Sequence, residues 1–170
     1  MRMFLDPFEV LSHLPLRSGS RVGDFGAGAG VYAYALAEQL PDGSVYALEA
    51  LPLHVEAMRK KNLKNLYPLI ADLNAHIPLK DALLDAAVIA NTLHALRDRE
   101  RFLGELARVM APRAPVLIVD WMDSFKNMGP RGEDIVAPND AVRLFESRGF
   151  AAGAMLPAGS HHYAFIATKL

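Results

Sequence analysis

A glycine-rich stretch, residues 22–30, has the composition of a loop that holds a cofactor. It reads Val-Gly-Asp-Phe-Gly-Ala-Gly-Ala-Gly. Residues without a Cβ let the backbone turn sharply and approach a ligand closely. Residues 31–40 are rich in Ala and Leu and predict a helix whose first N–H groups would point at the same ligand. The residues predicted to contact the cofactor here are Gly26, Ala27, Gly28 and Gly30.

The glycine spacing and the acid among the glycines narrow the class of ligand. A dinucleotide fingerprint needs a third small residue at position 31, which is Val31, and a P-loop needs a lysine that the stretch lacks. Asp24 precedes the glycines, and its carboxylate suits a cationic ligand better than a phosphate. The alternative without a ligand is a plain turn between strand and helix with one capping Asp.

A second acid follows the next apolar run. Residues 45–49 read Val-Tyr-Ala-Leu-Glu and predict a strand that ends in Glu49, nineteen residues after Gly30. A carboxylate at this place can accept hydrogen bonds from both hydroxyls of a ribose, and the spacing is close to that of adenosine-containing cofactors. We therefore predict that Glu49 and its neighbour Ala50 bind the cofactor. A solvent-exposed acid at a strand end is the alternative for Glu49.

Residues 85–91 read Asp-Ala-Ala-Val-Ile-Ala-Asn, and their continuous small and aliphatic run predicts a central parallel strand that ends in Asn91. Ligands of open α/β sheets bind beyond the carboxyl ends of the strands, so residues 91–94 would lie at the reaction centre. We expect Asn91 to help hold the cofactor. His94 has a pKa suited to proton transfer near neutrality and is the candidate general base, although helix capping and packing would explain it equally well.

The pattern hydrophobic-x-Asp-x-Gly-x-Gly-x-Gly at residues 22–30 resembles motif I of the class I S-adenosylmethionine-dependent methyltransferases. The resemblance implies that Asp24 lies near the two positive groups of that cofactor, the sulfonium and the ammonium. It also implies that Asp72 and Leu73, which follow a third strand, bind the adenine. The implied fold is α/β, a Rossmann-like doubly wound sheet of seven strands with reversed strand order, mostly parallel with an antiparallel last strand.

The resemblance extends over essentially the whole chain, with one departure. Residues 77–85 resemble a further family segment, whereas residues 113–115 read Arg-Ala-Pro where the family usually has glycines. There we expect an altered turn and not a lost strand. Asp-Trp at 120–121 and Met-Gly-Pro at 128–130 are most similar to enzymes of ubiquinone and menaquinone biosynthesis.

This resemblance predicts methyl transfer to carbon, oxygen or nitrogen of a small-molecule acceptor, with S-adenosylhomocysteine as the second product. Asn91 and Asp120-Trp121 do not supply the magnesium site of catechol-type enzymes, and the adjacent His161 and His162 would point to opposite faces of a strand, so we predict no metal. Two alternatives stay open: a non-catalytic partner subunit with the same fold, and an NAD-dependent oxidoreductase, which would share Glu49.

Composition predicts one domain over residues 1–170, with a leading helix in 1–18 and a cofactor-binding core in 19–170. Phe4 and Phe8 in that leading segment could touch the ligand, but core packing is the role we expect for them. Eighteen basic and nineteen acidic residues make nucleic acid a poor partner, and a homo-oligomer is compatible with the composition. The chain contains no Cys and no apolar run of membrane-spanning length, so we expect a cytoplasmic protein.

Overall fold

The computed structural model describes residues 6–125 and 128–170, and their apolar runs form seven strands. The central runs are short and almost wholly aliphatic, as expected for strands that are covered on both faces. The strands are β1 (Arg21–Phe25), β2 (Ser44–Glu49), β3 (Leu66–Ile70), β4 (Ala86–Ala90), β5 (Pro115–Trp121), β6 (Phe150–Leu156) and β7 (His162–Lys169).

The strands form one sheet in the order β3-β2-β1-β4-β5-β7-β6. Neighbours from β3 to β5 are parallel, and β7 runs antiparallel to both β5 and β6. The predicted α/β class, the seven strands and the antiparallel last strand are therefore confirmed. The strand order reverses between β1 and β4, which places the carboxyl ends of these two strands at the switch point where such sheets bind ligands.

Five α-helices within the described residues accompany the strands and cover the two faces of the sheet. They are α1 (Pro7–Leu11), α2 (Val31–Gln39), α3 (Pro52–Lys60), α4 (Arg99–Val109) and α5 (Pro138–Glu146), with 3₁₀ turns at Leu93–Ala95 and Gly132–Asp134. One apolar core joins the sheet to α4 and α5 through residues such as Phe102 and Phe145. The other joins it to α1 and α2 through Val10 and Leu36. Two buried layers thus hold the strand ends rigidly.

The leading segment differs in part from expectation. Asp6 caps α1 and Pro7 occupies its first turn. The prediction that Phe8 packs in the core is wrong, because Phe8 is 48% exposed while Val10 and Leu11 carry the buried face of this short helix. Phe4 lies outside the described residues.

The turn before β5 replaces the expected glycines without loss of the strand. Arg113 adopts φ 62°, a left-handed conformation that glycine usually supplies, and β5 begins two residues later at Pro115. The altered turn is therefore confirmed. Among the described helices, none combines the length and apolar character needed to cross a membrane.

Candidate active site

Backbone hydrogen bonds hold the glycine loop, residues 26–30, against the end of β2. The N–H groups of Gly26 and Ala27 both donate to the carbonyl oxygen of Leu48, at 2.9 and 3.0 Å. The next N–H, of Gly28, donates to Glu49 Oε2 at 2.8 Å. The loop thus has a defined shape in the cofactor-free protein, and its three glycines have positive φ values of 76°, 54° and 89°.

The three glycines have different surroundings. A Cβ on Gly26 would lie 2.3 Å from Thr92 Oγ1, and a Cβ on Gly30 would lie 3.0 Å from the Met58 and Tyr34 side chains. A Cβ on Gly28 would meet nothing closer than the Gly26 carbonyl oxygen at 4.0 Å. Close packing therefore requires glycine at positions 26 and 30, whereas Gly28 faces open space that a ligand can fill.

Glu49 anchors the glycine loop from below and still has capacity for a ligand. Its side chain is buried, with Oε2 accepting from Gly28 and Oε1 accepting from the N–H of Leu51 at 2.8 Å. A carboxylate can accept about four hydrogen bonds. Glu49 also lines a cavity, so the hydrogen bonds that its carboxylate can still accept are available to vicinal hydroxyls of a ligand there.

One cavity, of about 240 Å³, brings together predicted residues from the ends of four strands, β1, β2, β3 and β4. Those among its lining residues are Gly26, Glu49, Ala50, Asp72, Leu73 and Asn91. The Asp72 carboxylate accepts hydrogen bonds from the backbone and side chain of Asn74 at 2.9 and 3.0 Å, which lowers the pKa of Asp72. Asp72 is therefore ionised near neutrality and can accept from an exocyclic amine.

A larger cavity, of about 540 Å³, adjoins the first at Gly26 and Asn91, which line both. None of the described residues that line it is Lys or Arg. Its predicted members are Asp24, Gly26, Ala27, Gly28 and Asn91; the others are Pro7, Ala29, Val31, Tyr32, Ala90, Trp121, Met128 and His162. The two cavities together form one site at the switch point, and Gly30 lines neither of them.

Asp24 places a buried carboxyl group beside the larger cavity. It is 2% exposed, and its Oδ2 has no hydrogen-bond partner among the described residues. Burial, the largest cause, and the nearby charge of Glu49 together raise the pKa of Asp24 to about 7, against the lowering effect of the Ala33 N–H. A cation bound in this cavity would favour the ionised form.

Asn91 and Thr92 shape the point where the cavities meet. Asn91 has φ 52°, a conformation that Asn tolerates better than most residues and that is often found at functional sites. The Thr92 hydroxyl lies 3.1 Å from the Phe25 carbonyl oxygen and 3.0 Å from that of Ala90, so it ties the end of β1 to the end of β4. Sequence reasoning missed this role of Thr92.

His94 lies beside the cavities but lines neither of them. Its Nδ1 is 2.7 Å from Oδ1 of the buried Asp120, and its backbone N–H donates to Oδ2 at 3.1 Å. Asp120 Oδ1 also accepts from the N–H of Trp121 at 2.8 Å. A proton on Nδ1 would leave Nε2 free to act as a base. Asp120, near the end of β5, therefore orients His94 and holds the 3₁₀ turn Leu93–Ala95 that follows β4.

The two adjacent histidines, His161 just before β7 and His162 at its first position, have different surroundings. His161 Nδ1 lies 2.6 Å from Asp123 Oδ1, whereas His162 is buried and contacts Trp121 with 4.1 Å between ring centroids. His162 lines the larger cavity, a role that sequence reasoning missed. Within residues 6–125 and 128–170, no cluster of His, Asp and Glu could hold a metal ion.

A third cleft, of about 770 Å³, lies at the opposite, amino-terminal edge of the sheet. Arg17 and Arg113 line it together with Asp85, whose carboxylate pairs with Arg21 at 2.8 Å. Although this cleft is larger than either of the two cavities, it contains none of the predicted site residues and lies away from the switch point. We therefore assign the active site to the two adjoining cavities.

The reversed sheet and the strand-end acids around the glycine loop define a class I S-adenosylmethionine-dependent methyltransferase. Residues 23–118 match the model of the methyltransferase domain family, and the chain belongs to that family. A crystal structure of a SAM-dependent methyltransferase from Aquifex aeolicus is 31% identical with a TM-score of 0.90, covering 99% of this chain and 92% of that one.

Two curated relatives are larger proteins. Demethylmenaquinone methyltransferase of Thermus thermophilus is 30% identical over 107 residues, which are 62% of this chain and 49% of the relative. A probable tRNA methyltransferase 9B of Mus musculus is 29% identical over 125 residues, 72% of this chain and 26% of the relative. The chain thus spans about half the length, or less, of these curated relatives.

The residues present fit S-adenosylmethionine, the cofactor of this family. The unpartnered oxygen of Asp24 suits a cationic end, the open space at Gly28 accommodates a ligand, and Glu49 and Asp72 are acceptors for hydroxyl and amine groups. Among the described lining residues of both cavities there is no Lys or Arg to bind a phosphate. The donor and acceptor chemistry of the site therefore favours this cofactor over a dinucleotide.

Proposed function

We propose that this chain transfers a methyl group from S-adenosylmethionine to a small neutral acceptor, at carbon, oxygen or nitrogen. The observation that supports this most is the pair of cavities that meet at Gly26 and Asn91. One has acceptor groups suited to an adenosine, and the other continues beyond the glycine loop into a mainly apolar space.

In this proposal the cofactor lies across both cavities. Glu49, with Ala50 beside it, binds the ribose, and Asp72 and Leu73 bind the adenine. Asp24 and Asn91 lie at the methionine end, and Gly26, Ala27 and Gly28 form the floor beneath it. Gly30 does not contact the cofactor in this proposal. It acts indirectly, because its packing against Met58 and Tyr34 positions the start of α2.

When bound, S-adenosylmethionine supplies a methyl group on a positively charged sulfur, so that the products are the methylated acceptor, S-adenosylhomocysteine and a proton. The protein contributes to catalysis by holding the methyl donor and the acceptor in line and by excluding water. We propose His94, oriented by Asp120, as the base that removes the proton of the acceptor.

The lining of the larger cavity favours a small acceptor over a nucleic acid. Polyanions are bound through Lys and Arg, and none of the described lining residues is either. The similarity to a demethylmenaquinone methyltransferase supports a small aromatic acceptor, whereas the similarity to a probable tRNA methyltransferase is the reason to test RNA as well.

The test begins with calorimetry of S-adenosylmethionine, S-adenosylhomocysteine and NAD against the purified chain. We expect binding of the first two and none of NAD. Tight NAD binding without binding of S-adenosylmethionine would overturn the proposal in favour of an oxidoreductase.

The second step measures S-adenosylhomocysteine formed with a panel of quinols, phenols, amines and an unmodified tRNA. We expect product with a phenol or quinol, and methylation of the tRNA alone would contradict the small-molecule assignment. Cofactor binding without product from any member of the panel would favour the non-catalytic partner subunit.

A further inference from the structure

His162 is a buried polar side chain to which the proposed methyl transfer assigns no use. It is the first residue of β7, lies opposite Trp121 in the sheet register, and is 6% exposed. It lines the larger cavity. Neither its Nδ1 nor its Nε2 has a hydrogen-bond partner in the described part of the chain. Burial of an unpaired polar group is unfavourable, so an apolar ring would suit this position better in the free protein.

Trp121 limits how a ligand can reach the imidazole. The two rings are tilted by 40° with centroids 4.1 Å apart, so the indole covers one face of His162. Gly129 packs on the indole, where an added Cβ would lie 2.8 Å from the nearest ring atom. A ligand therefore cannot approach through this face, and both ring nitrogens, which lie on the edge of the imidazole, are buried in the free protein.

The charges around His162 indicate its protonation state. Burial lowers the pKa of His162, and the neighbouring His161 and His94 lower it further. The carboxylates of Asp120 and Asp123 act in the opposite direction but do not cancel the effect of burial. A neutral imidazole has one N–H donor and one acceptor nitrogen, which matches a hydroxyl group because a hydroxyl also donates and accepts.

We propose that His162 binds the acceptor, through a hydrogen bond to a hydroxyl group of a neutral and mainly apolar molecule. The inference rests on the proposed function and deepens it by naming the acceptor class. The imidazole nitrogens are covered in the free protein, so side chains at the cavity mouth must shift when the acceptor enters. Met128 lines the same cavity, is 40% exposed and has a flexible side chain that can make this movement.

The test uses three probes of matched shape: 4-methylphenol, p-xylene and 4-methylbenzoate. Each is titrated into the full chain saturated with S-adenosylhomocysteine. The signal is the fluorescence of Trp121, which lines the cavity and is the single Trp of the chain. We expect 4-methylphenol to bind roughly threefold to tenfold more tightly than p-xylene, the range of one hydrogen bond, and 4-methylbenzoate to bind most weakly.

Two variants of His162 and one control complete the design. His162→Phe keeps a ring against Trp121 and should melt at the same or a higher temperature, but it should lose the preference for 4-methylphenol. His162→Gln, which still donates and accepts, should keep part of that preference. His76→Gln, at a side chain that is 70% exposed and paired with Glu105, serves as the matched control.

The outcomes separate this inference from the proposed function. Absent binding of S-adenosylhomocysteine in the wild type would refute the proposed function itself. With that binding intact, three results overturn the role of His162: no binding of 4-methylphenol, equal affinity for 4-methylphenol and p-xylene, or an unchanged preference in both variants. A purely structural His162 would instead lower the melting temperature in His162→Phe and leave the preference intact.

Discussion

Binding of the cofactor should release a proton from Asp24. In the free protein the carboxyl group is buried with an unpartnered oxygen, and its pKa is raised to about 7 by that burial. The positively charged ammonium of S-adenosylhomocysteine would favour the carboxylate and lower this pKa again. Binding therefore competes with protonation, and the affinity should rise with pH.

The size of the effect follows from the ionised fraction of Asp24. With a pKa of about 7, roughly 3% of the group is ionised at about pH 5.5 and about half at pH 7. If only the carboxylate form binds well, the affinity should rise roughly fifteenfold over this interval. The ammonium of the ligand stays protonated over the same range, because α-amino groups have pKa values near 8.

The assay is calorimetry of S-adenosylhomocysteine between these two pH values, repeated at pH 6.5 in buffers with different ionisation enthalpies. Asp24→Asn is the matched control, since an amide has nearly the shape of the protonated carboxyl and does not titrate. It should bind more weakly at pH 7 and lose most of the pH dependence. The other ionisable groups are the same in both proteins, so their contributions cancel in the comparison.

Equal pH dependence in wild type and Asp24→Asn would refute the reasoning, because the coupling would then arise elsewhere. The stability of the free protein supplies a second check, because it should fall with pH whereas the affinity should rise. A carboxyl whose pKa is raised from 3.8 to about 7 stabilises the fold fully below about pH 4, and this contribution is lost as the pH rises through 7. Asp24→Asn should therefore lose less stability than wild type between about pH 4 and pH 8, as measured by thermal unfolding without ligand.

Three further substitutions test the site. Gly28→Val should abolish detectable binding of S-adenosylhomocysteine, because its side chain would occupy open space at φ 54°; Gly104→Ala, on an exposed helix position with free space, should leave the affinity unchanged. Glu49→Gln should weaken binding roughly tenfold to 100-fold in the same calorimetric assay, since an amide replaces the charged acceptor of the Gly28 and Leu51 N–H groups. Undiminished affinity would contradict the assignment of Glu49 to the ribose. Asp120→Asn should lower the unfolding free energy, measured in urea, by about 1–3 kcal/mol and should slow product formation, because one of the three donors to Asp120 loses its acceptor. A slower reaction without any loss of stability would show that the Asp120 contacts contribute little to the fold.

The glycine loop and the strand ends of the site could be predicted from the sequence, because each of them has a recognisable local sequence pattern. Alternating glycines mark the loop. Glu49 and Asp72 each follow an apolar run, so the ends of these two strands could be located from the hydrophobic pattern. The parallel arrangement then brings these ends to one edge of the sheet. What made them a single site was the strand order, which the family resemblance implied and the sequence pattern alone could not supply.

The missed features depend on contacts between distant segments. His162 follows another histidine and begins β7, and nothing local indicates that it contacts Trp121 on the neighbouring strand. The pairing of His94 with Asp120 spans 26 residues, and the shape of the loop at Gly26 depends on Thr92. Phe8 failed as a core residue because a five-residue helix buries only one narrow stripe, and Val10 and Leu11 already occupy it.

The hydrogen bonds beneath the glycine loop have a consequence for the entropy of binding. Three successive amides, of Gly26, Ala27 and Gly28, already have acceptors in the cofactor-free protein, one of them the Glu49 carboxylate. Their hydrogens should exchange slowly with deuterium before any ligand is added. Since the loop need not be ordered at the moment of capture, its conformational entropy was lost on folding, and little of it opposes the association with the cofactor.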